Sequence, residues 1–187
     1  MNSSVDIEVV RAEALRKLGR NVLNFSKLEN GFKLLLSVSY IEGKTTSHNS
    51  LKARQHRLRK QSLGTLVTEF NRDVIRNEEA ASAQQPTRPG LSLSFVVPST
   101  HSKKWKQTLR TLVEERNRLI HQDLALIDMT SVDDYCNLIT VLDEQNPRLL
   151  AQLENLRWML CSLCETVQSL KHSSELRQLI NSLNQSA

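Results

Sequence analysis

The sequence predicts an all-α bundle of four or five helices. Three observations carry that prediction. Long stretches place apolar residues at steps of three and four, the period of a helix face. Aromatic residues make up only 4% of the chain, whereas strands favour them. Glycine and proline number five and four, too few for the many corners of a strand-rich fold. At 187 residues the chain is expected to form one domain, residues 1–187, with its core over about 5–170.

A first helix is expected from about Val5 to Tyr40. Its apolar stripe is Val5, Val9, Ala12, Leu15, Leu18, Val22, Phe25, Leu28, Phe32 and Leu35. Gly19 and Gly31 interrupt the stripe and mark close packing or a bend. Residues 41–61 read as a connection, because Gly43, Thr45, Thr46, Ser47, Asn49 and Ser50 are turn formers. The basic cluster from Lys52 to Lys60 that follows fits the solvated face of a short helix. A second helix is expected over about Ser62–Ala83, with Leu63, Leu66, Val67, Phe70, Val74 and Ile75 on one side.

Residues 84–100 break the helical period with Pro86, Pro89, Gly90 and Pro98. Within this small non-helical insertion, Leu91–Val97 begins as a strand-like alternation, paired either with the 44–50 stretch or with another chain. A third helix is expected from about Ser102 to Leu126, apolar at Leu109, Leu112, Val113, Leu119 and Ile120. Ser131 is an N-cap, with Asp133 and Asp134 in the first turn of a long helix to Leu170. Pro147 should kink or split that helix, since it removes a backbone donor. A short helix over Ser174–Leu183 is expected to cap the bundle. The long helices are expected to pack as two antiparallel pairs.

The net charge is +5, and its distribution matters more than its sign. No acidic residue falls between Glu42 and Glu69, where Lys44, Lys52, Arg54, Arg57, Arg59 and Lys60 lie. None falls between Glu79 and Glu114, where Arg88, Lys103, Lys104, Lys106 and Arg110 lie. Arg54, Arg57, Arg59, Lys60, Lys103 and Lys104 are candidate contacts for RNA phosphates, or alternatively a plain solvated basic face. Trp105 beside them is expected to pack on the core. His48 and His56 are expected at the surface.

Three cysteines, Cys136, Cys161 and Cys164, argue against a secreted disulfide framework. Cys161 and Cys164 are spaced as a CxxC, but no further ligands lie at zinc spacing, so buried small apolar side chains are expected there. No metal and no cofactor are expected. The chain lacks a signal-like N-terminus and an apolar run of about 18 residues, so a cytoplasmic protein with no membrane contact is expected.

The chemistry concentrates in Arg116-Asn117-Arg118-Leu119-Ile120-His121. RNA cleavage without a metal uses the neighbouring 2′-hydroxyl as nucleophile. It needs a group that moves protons and a cation that holds the phosphoryl charge. Histidine suits the first role, because its unperturbed pKa is about 6.5. Arginine suits the second, because its planar fork matches phosphate oxygens. On an α-helix Asn117 and His121 lie about 40° apart, on one face, and Arg116 and His121 about 140° apart. One helix alone therefore makes a poor site, and two copies about a two-fold axis would make a better one. With fifteen arginines and five histidines, Arg-x4-His is expected roughly 0.4 times by chance, and requiring Asn after the Arg cuts that to a few hundredths.

In this motif and in its helical layout the chain resembles HEPN domains, an all-helical superfamily with many ribonucleases. The resemblance implies a metal-independent endoribonuclease active as a homodimer, with Arg116, Asn117 and His121 lining a groove between protomers. His121 would transfer protons and Arg116 would clamp the phosphate. It further implies a toxin or antiviral defence effector, with an inhibitor or antitoxin protein as a possible partner. HEPN toxins silenced by adenylylation often carry Tyr two residues after the His. Here that position is Asp123, so such control is not expected. The alternative is a non-catalytic module, an antitoxin-like, adaptor or RNA-binding subunit, with Arg116 and His121 on a solvated face beside Glu114, Glu115 and Asp123.

Overall fold

The computed structural model describes residues 3–42, 48–77, 90–92 and 94–172. Five helices dominate them: α1 (Ser3–Val38), α2 (His48–Arg59), α3 (Leu63–Asp73), α4 (Ser99–Arg118) and α5 (Val132–His172). The fold class is the all-α bundle that the apolar period predicts. Among the described residues no helix is long and apolar enough to cross a membrane.

The longest contact is between α1 and α5, and its direction differs from expectation. Lys17 pairs with Asp143, Asn24 with Asn146, and Gly31 lies against Leu156. Both numbers rise together, so α1 and α5 run parallel. Antiparallel packing is found instead around α4. Trp105 bonds Gln152 and Arg148 bonds Glu115, so α4 opposes α5. Gly64 lies against Val113 and Phe70 against Trp105, so α4 also opposes α3. The order of the helices explains this. With α2, α3 and α4 alternating between them, the first and last helices return to the same direction.

The α1 stripe is partly displaced. Phe25, Leu28, Phe32 and Leu35 are buried as expected. Val9 and Leu15, by contrast, are 65% and 53% exposed. The inward face of that half carries Ala14, Asn21 and Asn24, so polar residues occupy core positions and apolarity alone misplaces the stripe. Gly31 sits where an added Cβ would come within 2.9 Å of Leu156, while nothing approaches Gly19.

The expected helix Ser62–Ala83 stops at Asp73. Ser62 caps its start, accepting the Thr65 amide. At its end the β-branched Val74 and Ile75 turn inward, both buried. The Val74 carbonyl accepts the Phe95 amide at 2.8 Å. Strand β2 (Ile75–Asn77) then pairs in parallel with β4 (Phe95–Val97). Strand β1 (Tyr40–Glu42) pairs antiparallel with β3 (Gly90–Ser92). The strand-like alternation of 91–97 is thus two short strands, both partnered within the chain, and the antiparallel partner lies just before the 44–50 stretch. Residues 78–89, including Pro86, Arg88 and Pro89, lie outside the described residues, as do Lys44 and the expected helix Ser174–Leu183.

Pro147 does not split the last helix, which is continuous over 41 residues with the Pro147 ring exposed. Ser131 does cap it, accepting the Asp134 amide at 3.1 Å. Its inward row is Leu149, Gln152, Leu156, Met159 and Leu163. Cys161 and Cys164 fall off that row and are exposed, contrary to the buried positions expected of them; Cys136 is exposed too.

Two apolar clusters result. The larger joins all five helices, α2 through Leu58, around Phe32, Phe70, Leu112 and Leu149. The smaller, around Ala14, Leu119, Tyr135, Leu138 and Leu142, lies beneath the Arg116–His121 motif. Between them α1 and α5 share polar contacts, with Asn21 Nδ2 donating to the Leu142 carbonyl at 2.8 Å and to Gln145 Oε1 at 3.1 Å.

Candidate functional site

The end of α4 is not a plain α-helix. After Arg118 the chain widens into a π turn over Leu119–Asp123, and the amide of Leu124 bonds the carbonyl of Leu119, five residues back. A last helical turn, Leu124–Leu126, follows. Packing shows the consequence. In an α-helix Leu126, seven residues after the buried Leu119, would share its face. Instead Leu126 is 80% exposed, and Leu124 and Ile127 pack on the smaller cluster. Wide turns of this kind occur frequently at functional sites.

The π turn also re-aims the motif. It advances each residue by less than the roughly 100° of an α-helix. His121 therefore falls more nearly in line with Asn117 than α geometry places it. Both line one open groove of about 530 Å³, together with Thr111, Glu114, Glu115, Arg118 and Gln122. Every one of those residues belongs to α4 or its π turn, so the groove has a single wall.

Arg116 stands on the other side of the ridge. It lines a smaller cleft of about 180 Å³ with Val22, Phe25, Ser26, Glu29, Leu63 and Ile120. Its Nη1 donates to Asn117 Oδ1 at 3.0 Å, so the two clefts are linked through Asn117. The structure thus places Asn117 and His121 together and Arg116 beside them, facing α1.

The cation in the His121 groove is Arg118, which sequence reasoning did not single out. Its Nε lies 3.3 Å from Asp123 Oδ2. Residues five apart on an α-helix point about 140° from each other. The pair forms because the π turn draws them together.

The helix beneath the motif is clamped by polar contacts. Glu115 accepts from Gln145 Nε2 at 3.3 Å and from Arg148 Nη1 at 2.6 Å. Gln145 in turn accepts from Asn21. The residue before Arg116 is thereby tied to α5, and through it to α1. In the following loop, Asp128 accepts the amide and the hydroxyl of Thr130, and those bonds hold its carboxyl below the usual range.

The candidate RNA-binding cations are scattered. Arg57 grips Glu69 through both guanidinium nitrogens, at 2.6 and 3.3 Å, and Gln61 adds a bond at 3.2 Å. The Glu69 side chain is only 8% exposed, so Arg57 ties α2 to α3. Arg54 is half-buried, while Arg59 and Lys60 are exposed at the end of α2. Lys103 and Lys104 are exposed at the start of α4, roughly 25 Å along the helix from His121 by its rise per residue. Trp105 packs on the core as expected, its indole N–H donating to Gln152 at 2.6 Å. His56 is exposed.

No family model, no curated protein and no solved structure matches the chain. Among the described residues no three His, Cys, Asp or Glu side chains gather where they could hold a metal ion.

Proposed function

We propose that the chain is a HEPN-type, metal-independent endoribonuclease that works as a homodimer. The observation that carries this reading is the single-walled groove in which Asn117, Arg118 and His121 stand together on one exposed helix. A phosphodiester laid on that wall meets a proton-transfer group and a guanidinium at once. A second copy facing it supplies the missing wall, and with it a second His121 and a second Arg118.

In this reading His121 takes the proton of the 2′-hydroxyl, whose oxygen attacks the adjacent phosphorus. The P–O5′ bond breaks, the 5′-oxygen takes the proton back from the His121 imidazolium as it leaves, and a 2′,3′-cyclic phosphate remains. Arginine holds the charge that develops on the phosphoryl oxygens. Asn117, bonded to Arg116, orients the groups on the helix face. Toxin or antiviral effector is the role we propose, cytoplasmic, with an inhibitor protein as a partner.

The test is cleavage of total RNA in EDTA by the parent and by His121→Ala. Acid–base groups contribute about 10²–10⁴-fold, so the variant should leave RNA intact. Equal cleavage by both would remove His121 from the mechanism. Salt-sensitive RNA retention without cleavage by the parent would favour the non-catalytic binding module.

A further inference from the structure

We infer that Arg118 is a phosphate-binding residue of the His121 groove, and that Asp123 is its positioning residue. This rests on the ribonuclease reading above and assigns a contact that the Arg-x4-His pattern does not contain.

The argument starts from which cation shares a surface with His121. Arg116 lines the cleft against α1, where Val22, Leu63 and Ile120 surround it. Arg118 lines the groove with Asn117 and His121. Its side chain is 57% exposed, so a ligand reaches it without displacing the core.

The second step is how Arg118 is held. Asp123 meets it through Nε at 3.3 Å. This leaves the two terminal nitrogens of the fork, the pair best suited to two oxygens of one phosphate. No other ion pair among the described residues spans the π turn. The pairing depends on that turn, since α geometry separates positions 118 and 123 by about 140°. The same distortion that aligns His121 with Asn117 therefore sets the direction of Arg118. The ligand is an RNA phosphodiester, and the contact is electrostatic, so it carries no base preference.

The experiment uses a short single-stranded RNA blocked by 2′-O-methyl groups, titrated by fluorescence anisotropy across a range of salt. Cleavage of the unblocked RNA is followed in parallel. Arg118→Ala should weaken binding by about tenfold at low salt. It should also reduce the slope of log affinity against log salt by about one. Arg118→Lys should restore the slope but only part of the affinity, because a point charge replaces the fork. Asp123→Asn should keep the slope yet lower the cleavage rate at saturating RNA, since the charge stays and its direction is lost.

Arg118 and Asp123 are surface residues, and thermal melting that matches the parent establishes that each variant folds. If the parent binds and cleaves while Arg118→Ala keeps both affinity and slope, the inference is overturned and the ribonuclease reading stands. If the parent neither binds nor cleaves, both fall together.

Discussion

The two ends of the bundle are built differently. The end around Phe32, Phe70 and Leu149 is packed from all five helices and includes three aromatic rings in contact: Phe32 with Phe70 at 4.9 Å, and Phe70 with Trp105 at 5.8 Å. The end beneath the motif has five buried apolar side chains and only one aromatic among them, Tyr135. Around it Val9, Leu15, Leu126 and Met129 stay exposed. A buried polar layer of Asn21 and Gln145 divides the two. The difference separates the tasks. The tightly packed end supplies stability, and the thinner end tolerates a π turn, which places the chemistry-bearing side chains on the surface. Strained or irregular backbone persists only where surrounding packing determines it, and here Leu119, Leu124 and Ile127 hold the turn on the smaller cluster.

The largest effect should come from the packed end. Phe70 is fully buried and touches both Phe32 and Trp105. Phe70→Ala should cost about 3–5 kcal/mol in urea unfolding, from lost transfer energy and the cavity left behind. His121→Ala, on an exposed site at the other end, should change stability by less than about 0.5 kcal/mol. A His121→Ala loss as large as that of Phe70→Ala would erase the division between the ends. So would a Phe70→Ala loss under about 1 kcal/mol.

How much of this was legible varies by residue. Leu63, Leu66, Val67 and Phe70 declare the buried face of α3, because the apolar positions there fall on one side. The N-terminal half of α1 was not legible, because Asn21 and Asn24 face inward and find partners on α5 that sequence does not show. Glu69 gave no sign of burial, since its partner Arg57 lies across a turn. Cys161 and Cys164 are exposed because burial on α5 depends on the phase of the helix rather than on residue type. In the site, the Asn117–His121 alignment follows from spacing alone. The pairing of Arg118 with Asp123 does not, because it needs the π turn. The signal for that turn was present in one place. Leu119 and Leu124 both face the smaller cluster at a step of five, which no α-helix provides.

A smaller effect separates the ends through their glycines. Gly19 lies on an exposed part of α1 with nothing near its Cβ position. Gly19→Ala should therefore stabilise by about 0.5–1 kcal/mol, through the restricted unfolded chain. Gly31 lies where α1 and α5 approach closely, and a methyl there meets Leu156 Cδ1 at 2.9 Å. Overpacking costs about 1–3 kcal/mol, which outweighs the helix gain, so Gly31→Ala should lose about 1 kcal/mol net. Equal gains from both substitutions would mean that the close approach is soft, and that the packed end is less rigid than its partner contacts indicate.

The smallest effect is expected at the margin of the polar layer, where Asp143 binds Lys17 and Arg20 of α1. Its hydrogen bond to Lys17, helped by the one from Arg20, holds its carboxyl below the ordinary value of 3.8. A lowered folded value means that the ionised form favours the folded state. That contribution is complete above about pH 4–5 and fades as pH falls through 3.8 toward the lower folded value. Asp143→Asn should therefore melt slightly below the parent at about pH 7 in low salt. The two melting curves should converge as the buffer is taken below pH 3.8. Added salt should narrow the gap near neutral pH as well, because the carboxylate is exposed to screening. A gap that survives both acid and salt would show that the substitution costs packing rather than charge. The junction of α1 and α5 at the thin end would then be held by shape, as the thick end is.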